Sequence, residues 1–171
     1  MVRNWIVIAG VCALLGCARS TPPVPDVPRG VKTIAVPEPT NRTGEELVSD
    51  PGLIVKWFGA ERVTVPQRMA VDLRDELERL GFEVVDAADE DVPTLQVDIR
   101  SWRPYSADYS MVQVDLVAAL VAPGGERLWA AQRSNWIVPT RDAHSTLDAS
   151  AMACEVIAEE LLRGWKPPSA P

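Results

Sequence analysis

Three segments in the second half of the chain carry the pattern that most restricts its fold. Leu95, Val97 and Ile99 alternate with polar residues, as in a strand with one buried face. A longer strand is predicted from Met111 to Val121, and a Pro-Gly-Gly turn leads into a third from Arg127 to Trp136. The connections are too short for crossover helices, so the sequence predicts a three-stranded antiparallel meander with one polar face.

Two amphipathic helices are predicted on either side of this meander. Thr64 and Gln67 have the spacing of a capping box, and Gly81 is a typical helix stop. The apolar stripe of this first helix consists of Met69, Leu73, Leu77 and Leu80. A second helix is predicted from Ala143 to Arg163, ending at Gly164. Its apolar stripe consists of Leu147, Ala151, Cys154, Ile157, Ala158 and Leu161.

Shorter strands complete the expected domain. One is predicted from Lys32 to Pro39 and another from Phe82 to Asp86, while Leu53–Phe58 is predicted to pair with Arg62–Val65. Each amphipathic helix needs an apolar surface to cover, and a sheet with one polar face supplies it. The sequence therefore predicts an α/β fold: a two-layer sandwich with a mixed, mostly antiparallel sheet of four to six strands and two helices packed on one face, in a single domain from residue 31 to 165.

The N-terminal sequence indicates where in the cell the protein is located. One positive charge at Arg3 precedes an apolar run of 11 residues, Trp5–Leu15. A membrane-spanning helix needs about 20 such residues, so the run indicates a secretory signal over residues 1–16. Residues 17–30 are rich in proline and predict an extended tether, and residues 166–171 predict a disordered tail.

The end of the apolar run resembles a bacterial lipobox. The segment Leu14–Cys17 places small Gly16 before Cys17. The resemblance implies cleavage after Gly16 and attachment of fatty acyl chains to Cys17, with the membrane as a partner and the domain in the periplasm. By the same resemblance, Ala18 favours the outer membrane. Cys12 would leave with the signal, so Cys154 is expected to remain as a free, buried thiol.

The domain also resembles a group of small periplasmic lipoproteins attached to envelope transport machinery. The likeness lies in Lys32–Pro37 followed by Asn41–Gly44, in Leu80–Val85, in Leu95–Ile99, and in the turn Pro123–Glu126 before Leu128-Trp129. The group includes auxiliary lipoproteins of ABC-type lipid transport systems and the lipopolysaccharide-assembly lipoprotein, with some likeness to lipoproteins related to curli secretion. This resemblance implies a non-enzymatic accessory subunit with a transporter or secretion component as partner.

Neither the net charge nor the residues that could act in catalysis or metal binding indicate an enzyme. A net charge of −7 disfavours nucleic acid as a partner. His144 is the one histidine, and Asp142 and Asp148 lie near it, but no serine elbow accompanies it for an envelope hydrolase. The densest acidic run lacks the spacing of a calcium loop and consists of Asp86, Asp89, Glu90 and Asp91. The sequence predicts no metal, no cofactor and no enzyme.

Aromatic residues are the candidates for binding a protein partner. Trp102, Tyr105 and Tyr109 are predicted around the loop between two strands of the meander. Three others are predicted at further strand ends, namely Trp57, Phe58 and Trp136. Trp and Tyr bury large areas at low entropic cost and are favoured at interfaces. The alternative is that these residues cap the core. A carrier or sensor of a small apolar ligand, held between helices and sheet, is a further alternative, and the oligomeric state stays open.

Overall fold

The computed structural model describes residues 30–49, 63–86, 91–105 and 107–166. The predicted signal, the tether up to residue 29, the strand Leu53–Phe58 and the tail after Lys166 lie outside these residues. In chain order the elements are β1 (Thr33–Ala35), β2 (Thr40–Asn41), β3 (Val48–Ser49), β4 (Val63–Thr64), α1 (Val65–Arg79), β5 (Glu83–Val85), β6 (Thr94–Pro104), β7 (Met111–Val121), β8 (Arg127–Pro139) and α2 (Thr146–Leu162).

Six of the strands form one mixed sheet. Its order is β5-β1-β6-β7-β8, and β2 pairs with β6 further along the same edge as β1. The meander β6-β7-β8 is antiparallel as predicted, whereas β1 and β2 run parallel to β6. The opening strand ends at Ala35, before the two prolines that the sequence predicts as its stop, Pro37 and Pro39, because proline has no N–H to donate to the sheet. A second short strand, which was not predicted, begins at Thr40.

A second, two-stranded sheet joins β3 and β4. Val48 lies opposite Thr64, and Ser49 lies opposite Val63. The sequence predicts that Arg62–Val65 pairs with Leu53–Phe58. The segment Leu53–Phe58 lies outside the described residues. Val65, at the start of α1, donates its N–H to the carbonyl of Leu47 at 2.9 Å, so this small sheet is fixed directly to the helix layer.

The first helix follows its prediction closely. Thr64 Oγ1 accepts a hydrogen bond from the N–H of Gln67 at 3.3 Å, and Gln67 Oε1 accepts one from the N–H of Thr64 at 3.0 Å. This is the predicted capping box. Met69, Leu73 and Leu77 are all fully buried against the sheet and the second helix.

The second helix begins three residues later than predicted. Ser145 Oγ accepts the N–H of Asp148 at 3.1 Å and caps α2, so Thr146 is the first helical residue. Leu147 in this first turn is 41% exposed, and its assignment to the buried stripe was wrong. The other members of that stripe are buried.

The predicted two-layer α/β sandwich is confirmed. Both helices pack on one face of the sheet, and the core lies between the layers, around Ile34, Ile99, Leu116 and Leu120 of the sheet. Within the described ranges, neither helix is long and apolar enough to cross a membrane.

Candidate interaction surface

The face of the meander that points away from the helices is a mixed polar and apolar surface. On β7, Val112 and Val114 are fully buried on the helix side, so Met111 and Gln113 belong to the other face. Cross-strand register then places Arg103, Gln113 and Ile137 in one row of this face. No other element in the described part of the chain covers this face.

The next row completes an apolar patch at one end of the sheet. Met111 lies opposite Pro139, and its carbonyl accepts the N–H of Tyr105 at 2.9 Å. Tyr105 therefore follows β6 in the same row. We define the distal patch as Tyr105, Met111, Ile137 and Pro139.

Large apolar side chains are exposed mainly at this distal end. Tyr105 is 53% exposed and Ile137 is 59% exposed. Leu147, the third exposed large hydrophobic residue among those described, begins α2 at the same end of the fold. Exposed apolar side chains that cluster in one region indicate a surface for another molecule. Of these residues, Tyr105 was a candidate from the sequence, whereas Ile137, Met111 and Leu147 were not.

Backbone contacts hold the loop of the distal patch in place. Tyr109 donates its N–H to the carbonyl of Tyr105 at 3.1 Å, and its own carbonyl accepts a hydrogen bond from Thr140 Oγ1 at 2.6 Å. Tyr109 adopts a left-handed backbone with φ of 54°, which closes the turn before β7. Its side chain is half-buried against the core. Tyr105 is thus presented from a loop with a defined conformation.

Trp102 packs in the core, which is the alternative that the sequence left open for these aromatic residues. Trp102 belongs to β6 and is 6% exposed, and its Nε1–H donates to Ser150 Oγ of α2 at 3.1 Å. The reason is a bulge between Ile99 and Ser101, where the register against β7 shifts. The extra residue reverses the alternation, so that Ile99 and Trp102 share the buried face.

Trp136 also differs from its prediction, because β8 continues three residues beyond it to Pro139. Trp136 lies opposite buried Val114 and is half-buried on the helix side. The guanidinium carbon of Arg133 lies 6.0 Å from its ring centroid, within range of a cation–π contact. Of the remaining predicted aromatics, Trp57 and Phe58 lie outside the described residues.

A groove occupies the other half of the uncovered sheet face. It has a volume of about 450 Å³, and Val117 and Ala119 of β7 contribute apolar side chains to it. Its polar residues include Glu38, Arg42, Asp98 and Arg127. Arg42 Nε donates to Asp98 Oδ2 at 3.0 Å, so two of these charges neutralise each other.

Aromatic residues also pack at the proximal end of the sheet, where β6 begins. Trp129 and Trp165 meet edge to face with ring centroids 4.9 Å apart, and Phe82 lies 6.2 Å from Trp165 in the same way. All three are buried and belong to the core. The two ends of the fold therefore differ: aromatic side chains are buried at the proximal end and partly exposed at the distal end.

The residues weighed for catalysis or metal binding lie apart from one another. His144 is exposed, and its backbone N–H donates to Asp148 Oδ2 at 2.9 Å. Asp86 forms an ion pair with Arg74 at 3.0 Å, whereas Asp89 and Glu90 lie outside the described residues. Within those residues, no three His, Cys, Asp or Glu side chains form a group that could hold a metal ion. Cys154 is fully buried, and burial raises the pKa of its thiol well above the usual value.

Comparison with known proteins identifies the fold. No protein-family model matches the chain, and no curated protein matches its sequence. Among solved structures, the PelC dodecamer from Paraburkholderia phytofirmans matches with a TM-score of 0.53 and 16% identity, over 84% of this chain and 94% of that one. The domain has the fold of PelC. A DUF330 protein from Xanthomonas campestris is also similar, with a TM-score of 0.46 and 17% identity, over 82% of this chain and 86% of that one.

Proposed function

We propose that this protein is a non-enzymatic accessory lipoprotein of the bacterial cell envelope, anchored by fatty acyl chains on Cys17. In this proposal its domain faces the periplasm and binds a component of a transport or assembly system through the distal patch. The observation that carries the proposal is the position of the distal patch, which lies at the opposite end of the fold from the residue where the chain enters the domain.

The geometry follows from the sheet register. Ala35 of β1 lies opposite Thr94, the first residue of β6, so the chain enters the domain beside the start of β6. Tyr105 follows the last residue of β6, which is 11 residues long. At about 3.3 Å per residue, β6 spans about 35 Å. A domain tethered through residues 17–30 can therefore present the distal patch away from the membrane.

The chemistry of the distal patch suits a protein partner. Tyr105 and Ile137 expose more than half of their side chains, and Arg103 and Gln113 lie in the adjoining row. An apolar centre with a polar border is the usual composition of a protein interface. A Tyr anchored by a defined backbone loses little entropy when it is buried.

We propose further that the protein works as a homo-oligomer. PelC, which shares the fold over most of both chains, was solved as a dodecamer. The uncovered sheet face described above offers area for contacts between copies in addition to the distal patch.

The anchor is tested by labelling cells with radioactive palmitate and separating membrane from soluble fractions. The intact protein should incorporate label and sediment with the membrane, and Cys17→Ser should lose both properties. Cys12→Ser is the matched control, because it changes the apolar run but not the acylation site. Label that persists in Cys17→Ser, or that is absent from the natural protein, contradicts the anchor.

The docking surface is tested by affinity purification of the intact protein from crosslinked cells. Tyr105→Ser combined with Ile137→Ser should lose the envelope component that co-purifies with the natural protein. Gln132→Ser, on the same face of β8 but outside the distal patch, should retain it. Retention of the same component by the double variant contradicts the proposed surface.

A further inference from the structure

The two edges of the main sheet differ in length. Strand β5 forms one edge and has three residues, whereas β8 forms the other and has 13. Among the described residues, no strand pairs with the outer side of β8. An unpaired edge presents backbone N–H and C=O groups that can bind a further strand, and a very short edge strand limits such binding. Of the two edges, β8 is therefore the one with room for an added strand.

Alternation along the ladder identifies the backbone groups of β8 that point outward. In an antiparallel pair, the N–H and C=O of one residue point to the neighbouring strand, and those of the next residue point away from it. Thr140 donates its N–H to the carbonyl of Ser110 at 2.8 Å, so it continues the ladder with β7. The alternation then directs the backbone groups of Pro139 and Ile137 outward. A proline in an outward position costs no ladder bond, because it has no N–H to donate.

Gln132 holds a further outward position on β8. Its carbonyl accepts a hydrogen bond from Nη1 of Arg133 at 3.3 Å, which is a side-chain donor and not a group of β7. Ala130, two residues earlier, points the same way. An irregularity in the β7–β8 register explains why the outward positions change from even to odd numbers before Ile137. We define the β8 edge as the outward backbone groups of Ala130, Gln132 and Ile137.

The segment that carries the β8 edge is positively charged. From Arg127 to Arg141 the chain contains three arginines and no aspartate or glutamate, although it holds 24 acidic residues in all. The guanidinium carbon of Arg133 lies 6.0 Å from the ring centroid of Trp136 and is thus held beside the edge. In the described part of the chain, Arg133 forms no ion pair within 4.0 Å. Its guanidinium is therefore available to a carboxylate of a binding partner.

We propose that the β8 edge binds an extended, acidic segment of the envelope partner as an added antiparallel strand. The inference rests on the partner docking proposed above, and it names the backbone conformation and the charge of the segment that docks. Ile137 belongs both to the distal patch and to the β8 edge, so the two surfaces are continuous. A single partner can therefore cover the distal patch and extend along β8.

The two faces of β8 determine the side chains of the added strand. Arg133 lies opposite buried Leu116, so it is on the helix side. Gln132 and Ile137 are on the uncovered side, opposite Val117 and Gln113. Residues directly opposite one another in an antiparallel pair share a face, so the segment has a carboxylate beside Arg133 and apolar residues on the uncovered side. These apolar residues lie opposite the outward positions and make the backbone bonds, while the acidic residues direct their N–H groups away from β8.

Binding of this strand exchanges hydrogen bonds at the edge. The carbonyl of Gln132 accepts a backbone N–H of the added strand in place of the Arg133 side chain, and Arg133 donates to the carboxylate. A hydrogen bond between two charged groups is stronger than one from a guanidinium to a neutral carbonyl. Salt screens charges that are more than about 8 Å away at physiological ionic strength. The nearby arginines therefore decide which segment binds here, although the net charge of the chain is −7.

A synthetic peptide tests the contact independently of the partner's identity. The probe is a short, capped, fluorescent peptide in which valine and glutamate alternate, and fluorescence anisotropy measures its binding to the intact acylated protein in detergent. It should bind about tenfold more tightly than a peptide of the same composition with its glutamates grouped together. It should exceed a peptide with lysine in place of glutamate by at least as much. Equal binding of the three peptides overturns the inference.

Methylation of the peptide nitrogens tests the backbone bonds separately from the charge. Methyl groups on the valine nitrogens should abolish binding, because those N–H groups face β8. Methyl groups on the glutamate nitrogens should leave binding unchanged, because those N–H groups point away from the sheet. Equal effects of the two methylated peptides contradict an added strand in this register.

Two pairs of variants locate the binding site on the protein. Gln132→Pro removes an outward N–H and should weaken peptide binding about tenfold or more, whereas Gln132→Ser keeps the N–H and should bind as the natural protein does. Arg133→Gln should lose the preference for glutamate over lysine. Arg163→Gln, which removes an exposed arginine just after α2, should keep it. Peptide binding that is equal in all four variants overturns the site. Circular dichroism should show unchanged strand content, and if Gln132→Pro is unfolded, the arginine pair and the methylated peptides decide.

Purification from crosslinked cells relates the β8 edge to the proposed function. Gln132→Pro should lose the envelope component that Gln132→Ser retains. If Gln132→Pro retains it while Tyr105→Ser with Ile137→Ser loses it, strand addition by the partner is overturned and docking through the distal patch stands. A natural protein with no co-purifying component overturns the proposed function and the partner named here, whereas the peptide experiments judge the edge by itself. A crosslinked product that contains only copies of this chain, and that Gln132→Pro loses, overturns the assignment of the segment to a partner.

Discussion

The two faces of strand β6 meet different surroundings, although both are formed by one continuous segment of the chain. On the helix side, Leu95, Ile99 and Trp102 are at most 6% exposed. On the other side, Gln96, Arg100 and Arg103 are exposed. The comparison shows that one strand serves two purposes: one face builds the core with the helices, and the other remains available for binding.

The alternation of buried and exposed residues along β6 changes phase at the bulge between Ile99 and Ser101. Before the bulge, odd-numbered residues are buried, and after it an even-numbered residue, Trp102, is buried. The bulge thus decides which aromatic residue stabilises the fold and which is exposed. Trp102 bonds to α2, while Tyr105 reaches the uncovered face.

The sharpest test of this division is to truncate each aromatic residue in turn. Trp102→Ala removes a buried indole and leaves a cavity between the layers, so the free energy of unfolding should fall by about 3 to 5 kcal/mol. Tyr105→Ala should change it by about 0.5 kcal/mol or less, since its side chain is largely exposed. Urea unfolding followed by circular dichroism measures both. Equal effects for the two residues would show that the division between faces is wrong.

The contribution of the helix layer to the stability of the fold is expected to depend on pH. Burial raises the pKa of Asp72 from 3.8 to about 6, and the repulsion of Glu155 and Asp75 adds to this, while Arg68 opposes it. Fully buried Cys154 of α2 lies beside the same pair. A carboxyl whose pKa is higher in the folded state stabilises the fold below pH 4, and this stabilisation is lost as the pH rises through 6.

Asp72→Asn isolates this contribution. The natural protein should lose stability relative to the Asn variant between pH 4 and pH 6.5, by an amount on the order of 2 kcal/mol, and the difference should then stay constant. Urea unfolding across that pH range provides the measurement. A difference that is independent of pH, or that grows in favour of the natural protein, contradicts the assigned shift.

A smaller effect is expected from the cap of α1. Thr64→Ala removes the hydroxyl that accepts the N–H of Gln67, and the free energy of unfolding should fall by about 1 kcal/mol. Thr64→Ser keeps the acceptor and should restore most of the loss. If the Ser variant is as unstable as the Ala variant, the hydroxyl is not what stabilises the helix start.

The smallest effect is expected on the uncovered face. The ion pair between Arg42 and Asp98 has side chains that are 61% and 31% exposed. Solvent and salt weaken such a pair, so Arg42→Ala should cost about 0 to 1 kcal/mol, with less at high salt. A loss comparable to that of Trp102→Ala would mean that this face contributes to the core.

Several features of the fold are local and were predictable from the sequence. The capping box at Thr64 and the meander depend on residues close together in the chain, and both are confirmed. The two prolines after Val36 also explain why the opening strand is interrupted, although the short continuation at Thr40 was not predicted.

The candidate surface was only partly predictable, because alternation does not reveal bulges. The sequence left open whether Trp102 binds a partner or caps the core, since the shift after Ile99 has no marked sequence signal. A second irregularity between Val114 and Leu116 places Asn135 in a left-handed conformation with φ of 51°. Beyond it Ile137 faces away from the helices, opposite Gln113. An Asn within a predicted strand was the available signal, because Asn adopts this conformation more readily than most residues.

The central claim is that the distal patch on the uncovered sheet face binds the envelope protein, and that the outer side of α1 does not contact this protein. Photo-crosslinking in living cells tests it most directly. A photoreactive amino acid is placed at Tyr105, at Ile137 or at Asp75 on the outer side of α1. We expect an adduct with the same envelope protein from the first two positions and not from the third. An adduct with that protein from Asp75 alone, or from none of the three positions, would contradict the account.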